Sequence, residues 1–355
     1  MTGTGQAEIV LPANLTIREV SPRDGLQIEE PLPTSEKLRL LDALIAAGVS
    51  HVEMTAFVSP RAVPAMADAE IVAQYARLHD EVTWSALVVS PNGARRAVAA
   101  GIPNLEYVVS ASDGHSLANT RRTTAEALSA VGEVASIVHD AGGACEVIIA
   151  TAWDCPFDGP TEPERTLQVA EYAAEAGADR LCVADTIGTV SPTRAASLIR
   201  SVRSRLTALP LGVHLHNTRG QALAAALAAI TAGASMLDAS AGGLGGCPFA
   251  PGASGNLATE ELAYMLEEAG VRTGVDLDAM VTAAALAQEI VGHPLESNML
   301  RAGGRARTHT RHASHTTAAP QGEQTSRLPT GRMPPVFRRQ GALSRGSPPP
   351  RGELP

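Results

Sequence analysis

Aromatic residues make up only 3% of this 355-residue chain, so its core must be packed from Ala, Val, Leu and Ile. Lysine is nearly missing: Lys37 stands against 27 arginines. Schiff-base chemistry requires a lysine nucleophile, and Lys37 falls within a predicted helix rather than at a strand end. The four cysteines, Cys145, Cys155, Cys182 and Cys247, form neither a CxxC pair nor a disulfide framework. Their spacing predicts reduced thiols and a cytoplasmic protein. No basic segment leads into an apolar stretch at the N-terminus, and no apolar run reaches membrane-spanning length. A signal peptide and a membrane partner are therefore not expected.

Charge is unevenly spread. Residues 301–355 hold ten Arg and two Glu, while residues 1–300 hold 18 basic and 35 acidic side chains, a net charge near −17. An acidic body argues against nucleic acid as a partner. The tail from residue 301 onward is rich in Arg, Pro, Gly, Ser and Thr and lacks amphipathic period, which predicts a disordered extension of a 1–300 domain.

Within the first 270 residues, short apolar runs begin near Leu15, His51, Val82, Leu105, Ala144, Arg180, Leu211 and Met236. Each precedes an Ala/Leu/Glu-rich stretch with helical spacing. Six of those stretches end in Ala-Gly, beginning with Ala47-Gly48 and Ala100-Gly101, and glycine there closes a helix in the left-handed conformation. Thr34-Ser35-Glu36, Ser90-Pro91, Thr161-Glu162-Pro163 and Ser191-Pro192 read as helix starts. Eight strand–helix units predict an α/β fold, a (β/α)8 TIM barrel. A doubly wound sheet would place a Gly-rich phosphate loop after its first strand, where this chain has Ser21-Pro22-Arg23-Asp24-Gly25.

Active sites of such barrels sit at the C-terminal strand ends, and polar residues gather there. His214 and His216 alternate on strand 7 and so share one face. An isolated pair of this kind is as readily a core pair as a metal pair. Asp24 after strand 1 adds an anionic oxygen, and Asn256 after strand 8 a neutral one. Two nitrogens and two oxygens without thiolate suit a divalent metal such as Mg²⁺ or Mn²⁺. Arg23 is placed to neutralise a developing oxyanion. Glu53 in strand 2 and Asp185 at the end of strand 6 are carboxylates that act directly or orient their neighbours. Cys247 follows Gly242-Gly243-Leu244-Gly245-Gly246, read as a flexible loop that carries a mobile thiol.

These features together resemble the hydroxymethylglutaryl-CoA lyase family of metal-dependent barrel lyases. The likeness lies in SPRDGLQ (21–27), VEMTAFVSPRAVPAMAD (52–68), VADTIGTVSP (183–192), HLHNTRGQALA (214–224) and GGLGGCPFAPGASGNLATEELAYML (242–266). The resemblance implies metal ligation by Asp24, His214, His216 and Asn256, catalysis by Arg23, Cys247, Asp185 and Glu53, and acyl-CoA contacts from Gln27, Asn119 and Thr186. It further implies a homodimer. The expected reaction is metal-assisted retro-Claisen cleavage of 3-hydroxy-3-methylglutaryl-CoA, or a related acyl-CoA, to acetyl-CoA and a ketone. Asp185 or a water on the metal would be the base and Cys247 the proton donor; leucine degradation and ketone-body formation are the setting of the type reaction. A Claisen-type synthase and a non-catalytic acyl-CoA-binding barrel are the alternatives. Two departures stand out. Asn217-Thr218-Arg219-Gly220 replaces the family's Asp-Thr-Tyr-Gly, and Glu30 replaces a lysine that helps hold CoA. Arg61, Arg121 and Arg122 are the candidate substitutes.

Overall fold

A computed structural model describes residues 10–246 and 255–303. Cys247 and the tail beyond residue 303 lie outside the described residues. Eight parallel strands close into a barrel: β1 (Thr16–Glu19), β2 (His51–Ala56), β3 (Thr83–Val88), β4 (Leu105–Ser110), β5 (Cys145–Ala150), β6 (Arg180–Asp185), β7 (Leu211–Leu215) and β8 (Met236–Ala239). Each starts within one residue of its predicted position. Neighbours follow chain order around the ring, and β8 closes against β1 with Arg18 opposite Asp238. On the far side of β8, Asp238 lies opposite His214 of β7. Arg18, Asp238 and His214 therefore form one row across three strands.

The surrounding helices include α1 (Thr34–Ala46), α2 (Ala69–Tyr75), α3 (Pro91–Ala100) and α4 (Asp113–Thr120). Small side chains let them lie close to the strands: Ala47, Ala69, Ala73, Ala94 and Ala97 are all fully buried. The predicted caps hold at Ser90 and Ser191, whose hydroxyls accept from the backbone N–H of Gly93 and Arg194. Thr34 and Glu162 differ from expectation because neither the first helix nor the one starting at Pro163 has a side-chain cap. The Thr34 hydroxyl instead donates to Asp68. Lys37 is buried in α1, where its ammonium pairs with Asp68, and it does not line the mouth cavity described below. A short helix, Asn298–Ala302, runs across residue 300. An antiparallel pair, Asp154–Cys155 with Gly159–Pro160, follows β5 and was not foreseen.

The Ala47-Gly48 closure shows how tightly these turns are set. Gly48 has φ +79°, and a Cβ there would meet the Gly274 carbonyl oxygen at 2.5 Å. Both the backbone conformation and the space exclude a side chain. We expect Gly48→Ala to lower unfolding free energy by about 1–3 kcal/mol in urea denaturation; an unchanged midpoint and slope would contradict this reading.

Candidate active site

The loop after β1 is a five-residue π-helical turn, Ser21–Gly25, with every residue buried. The N–H groups of Arg23, Asp24 and Gly25 converge on the Val20 carbonyl at 3.2, 2.8 and 3.2 Å. Single π turns of this kind concentrate at functional sites. Glu19 fixes the turn from below. Its carboxylate accepts from the N–H of Ser21 and of Ala241, both at 2.9 Å, and from the Thr259 hydroxyl. One buried glutamate thus ties the first strand end to the last.

Asp24 is the centre of the site. Its Oδ1 accepts from Arg23 Nη1 at 2.6 Å and Gln27 Nε2 at 2.9 Å. Its Oδ2 accepts from Asn256 Nδ2 at 2.8 Å and lies 3.9 Å from His214 Nε2 and 4.0 Å from His216 Nε2. Burial opposes ionisation of Asp24, but the Arg23 guanidinium and the two imidazoles outweigh it and hold the carboxyl down at about 2. Both rings are oriented from behind. His214 Nδ1 bonds Asp238 Oδ2 at 3.1 Å, and His216 Nδ1 bonds the Asp185 carbonyl oxygen at 2.9 Å. With Nδ1 donating, each Nε2 presents its lone pair toward Asp24.

Asp24, His214 and His216 offer ligand atoms that all lie within 4.8 Å of one another. Asn256 is a fourth candidate ligand: its Nδ2 donates to Asp24 Oδ2 and to the Leu244 carbonyl, while Oδ1 is buried with no partner among the described residues. An orphaned amide oxygen beside two nitrogens and a carboxylate fits a divalent cation. All four predicted ligands are therefore brought together.

Arg23 bridges this group to Glu53, whose Oε2 lies 2.6 Å from Nη2. Burial raises the Glu53 carboxyl to about 7 against the pull of that guanidinium. Glu53 does not line the mouth cavity, so it acts by holding Arg23. Asp185 differs from the expected base. Its carboxylate accepts from the N–H of Thr189 at 3.0 Å and Val190 at 2.9 Å, and it does not line the cavity either. The residue follows an inward-facing Ala184, so strand alternation turns its side chain away and leaves its carbonyl for His216.

A cavity of about 1040 Å³ opens above the metal ligands. Arg23, Gln27, Asn119 and Thr186 line it, and Arg61 and Arg121 reach its rim, whereas Arg122 does not line it and bonds toward Tyr107 instead. Ala56, Leu87, Val108, Ile148, Ala150 and Ala184 supply an apolar wall. Arg219, in the departure after the second histidine, donates to the carbonyls of Ile187 and Gly188 and so joins the loops after β6 and β7.

The glycine run before Cys247 begins as a fixed element, not as the predicted loose loop. Ala241–Gly243 form a buried turn, with the Gly242 N–H donating to Glu260 Oε2. Gly245, at φ +119°, lets the backbone pass beneath Asn256, since a Cβ there would lie 2.6 Å from its Nδ2. Close approach, rather than mobility, explains the glycines here.

Sequence reading missed Arg18, Glu19, Glu106, Glu146, Asp238 and Glu260. The first five are buried on strands, and Glu260 is buried in the first turn of the helix Thr259–Glu268. The available signal was a charged residue in the middle of an otherwise apolar strand, as in Leu105-Glu106-Tyr107 and Leu237-Asp238-Ala239. Such a residue must find a partner inside.

The fold and this site define a (β/α)8 barrel with a candidate metal-binding centre at its C-terminal mouth. Comparison with known proteins gives the family. The HMGL-like family matches residues 14–287. The (R)-citramalyl-CoA lyase of Chloroflexus aurantiacus is 40% identical over 81% of this chain and 95% of its own length. The hydroxymethylglutaryl-CoA lyase YngG of Bacillus subtilis is 36% identical over 82% and 97%. An HMG-CoA lyase structure from Acinetobacter baumannii, in complex with coenzyme A and 3-methylmalate, superposes with a TM-score of 0.79 at 37% identity, covering 87% of this chain and 98% of that one. This chain belongs to the HMGL-like family and is a lyase-like enzyme of that family. Among the described residues, no helix is long and apolar enough to cross a membrane.

Glu260 supplies a pH test of the buried turn. Burial raises its carboxyl to about 7 from an ordinary value near 4.5. Between those values the unfolded chain ionises there while the folded chain holds its proton, so this group's contribution to stability falls as pH rises from about 4.5 to about 7. Glu260→Gln, which keeps an acceptor for Gly242, should flatten that part of the stability–pH curve. Identical curves for the two proteins would refute the assignment.

Proposed function

We propose that this chain is a divalent-metal-dependent carbon–carbon lyase. Its substrates would be short, branched 3-hydroxyacyl-CoA thioesters that carry a second carboxylate, with acetyl-CoA as one product. The observation that carries the reading is the cluster of Asp24, His214 and His216, with Asn256 bonded to Asp24 and Arg23 beside it on a roomy cavity.

Mg²⁺ or Mn²⁺ held by those four residues would lower the pKa of the substrate's tertiary hydroxyl. Transfer of that proton to a water in the cavity turns the C–O bond into a carbonyl and breaks the adjacent carbon–carbon bond. The electron pair passes into the thioester enolate. Arg23 lines the cavity with its guanidinium fixed by Asp24 and Glu53, and its Nε has no hydrogen-bond partner among the described residues. A preorganised cation of this kind stabilises the enolate oxygen. Cys247 returns a proton to the enolate carbon to give acetyl-CoA. The apolar wall from Ala56, Leu87, Ile148 and Ala184 receives the substrate's methyl branch. Arg61 and Arg121, both exposed at the rim, take the CoA phosphates in place of the lysine exchanged for Glu30.

Two substrates fit this chemistry. 3-Hydroxy-3-methylglutaryl-CoA would give acetoacetate, and (R)-citramalyl-CoA, one methylene shorter at its free carboxylate, would give pyruvate. The first would place the enzyme in leucine degradation or ketone-body formation. Incubation with each thioester should release acetyl-CoA from at least one, and EDTA should stop it. Arg23→Met and Cys247→Ala should each lower kcat by about 10²–10³ while circular dichroism stays native. Turnover that survives EDTA, or variants that match the parent, would overturn the mechanism.

A further inference from the structure

We propose that Arg18 is a positioning residue for the metal centre: it clamps Asp238, and through Asp238 it sets the ring of His214. The inference rests on the metal reading above and extends it to the layer beneath. Arg18 Nε donates to Asp238 Oδ1 at 2.8 Å and Nη2 to Oδ2 at 3.0 Å, a two-pronged grip that a planar guanidinium provides and an ammonium does not. The same Oδ2 accepts from His214 Nδ1 at 3.1 Å. The guanidinium is itself immobilised, with Nη1 donating to Glu106 Oε1 at 2.7 Å and Nη2 to Glu146 Oε1 at 2.8 Å. Glu106 and Glu146 sit on β4 and β5, across the barrel from Arg18, so the contacts run through its interior. Register alignment does the rest, because Arg18, Asp238 and His214 are paired positions on three successive neighbours in the ring.

Two features separate this role from simple charge balance. A buried ion cluster is a weak source of stability compared with apolar packing of the same volume. The pattern here instead repeats the carboxylate–imidazole–metal chain, in which the outer carboxylate fixes tautomer and ring plane. Without the Arg18 fork, one hydrogen bond from His214 and the 4.0 Å approach of the Cys182 thiol remain to orient the Asp238 carboxylate. The His214 ring would then turn with it.

The test is Mn²⁺ titration of the full chain by calorimetry, with folding monitored by thermal melting. Arg18→Lys keeps the charge and removes the fork. It should fold, and bind Mn²⁺ about 10–100-fold more weakly than the parent. Glu106→Gln touches Arg18 but leaves the Asp238 grip intact, so its Mn²⁺ affinity should stay close to the parent's. Should Arg18→Lys fail to fold, the neutralised triple variant R18M/E106Q/E146Q carries the same expectation of weakened binding. A folded Arg18 variant with parental affinity, or an equal loss in Glu106→Gln, would overturn the inference. Absence of Mn²⁺ binding by the parent would overturn the metal reading and this inference together. Arg18-dependent Mn²⁺ binding without turnover on any acyl-CoA would uphold this inference and overturn the lyase reading alone.

Discussion

An excess of buried negative charge organises this barrel. Asp24, Glu53, Glu106, Glu146 and Asp238 are bridged inside it by two guanidiniums, Arg18 and Arg23. Carboxylates removed from water are costly unless paired or neutralised. Burial pushes the Glu53, Glu106 and Glu146 carboxyls upward, against the pull of the two guanidiniums. Asp24 and Asp238 are instead held low by guanidiniums and imidazole, on either side of His214. A divalent cation held by Asp24, His214 and His216 would complete that balance. The candidate metal site and the ion network below it are one electrostatic unit.

Most of the fold was legible because its signals are local. Apolar runs and Ala-Gly closures repeat eight and six times respectively along the sequence, and strand direction then follows from connectivity. The site was legible where residues cluster in short motifs: Arg23-Asp24, His214-Leu215-His216 and the glycine run leading to Asn256. The chain brings Arg23, Asp24, His214, His216 and Asn256 together, with Glu53 behind Arg23.

What escaped the sequence is dispersed. Arg18, Glu106, Glu146 and Asp238 are single charges on four strands, and nothing in their spacing relates them until the ring closes and sets their register. The Asp185 side chain lies away from the cavity for the complementary reason. A carboxylate at a strand end reads as functional, but which side it faces depends on a one-residue alternation that spacing alone does not fix. The glycines at 242–245 misled in the same way, because a sequence rich in glycine is consistent with mobility and with close packing alike. Burial and the contacts of Glu19 and Glu260 decide for packing.

Anomalous diffraction from a crystal of the full chain grown with Mn²⁺ tests the central claim most directly. The account predicts one strong peak bonded to Asp24 Oδ2, His214 Nε2, His216 Nε2 and Asn256 Oδ1, with Asp238 and the Asp185 carbonyl still holding the two rings from behind. A peak elsewhere in the molecule, or none among those four atoms, would contradict it.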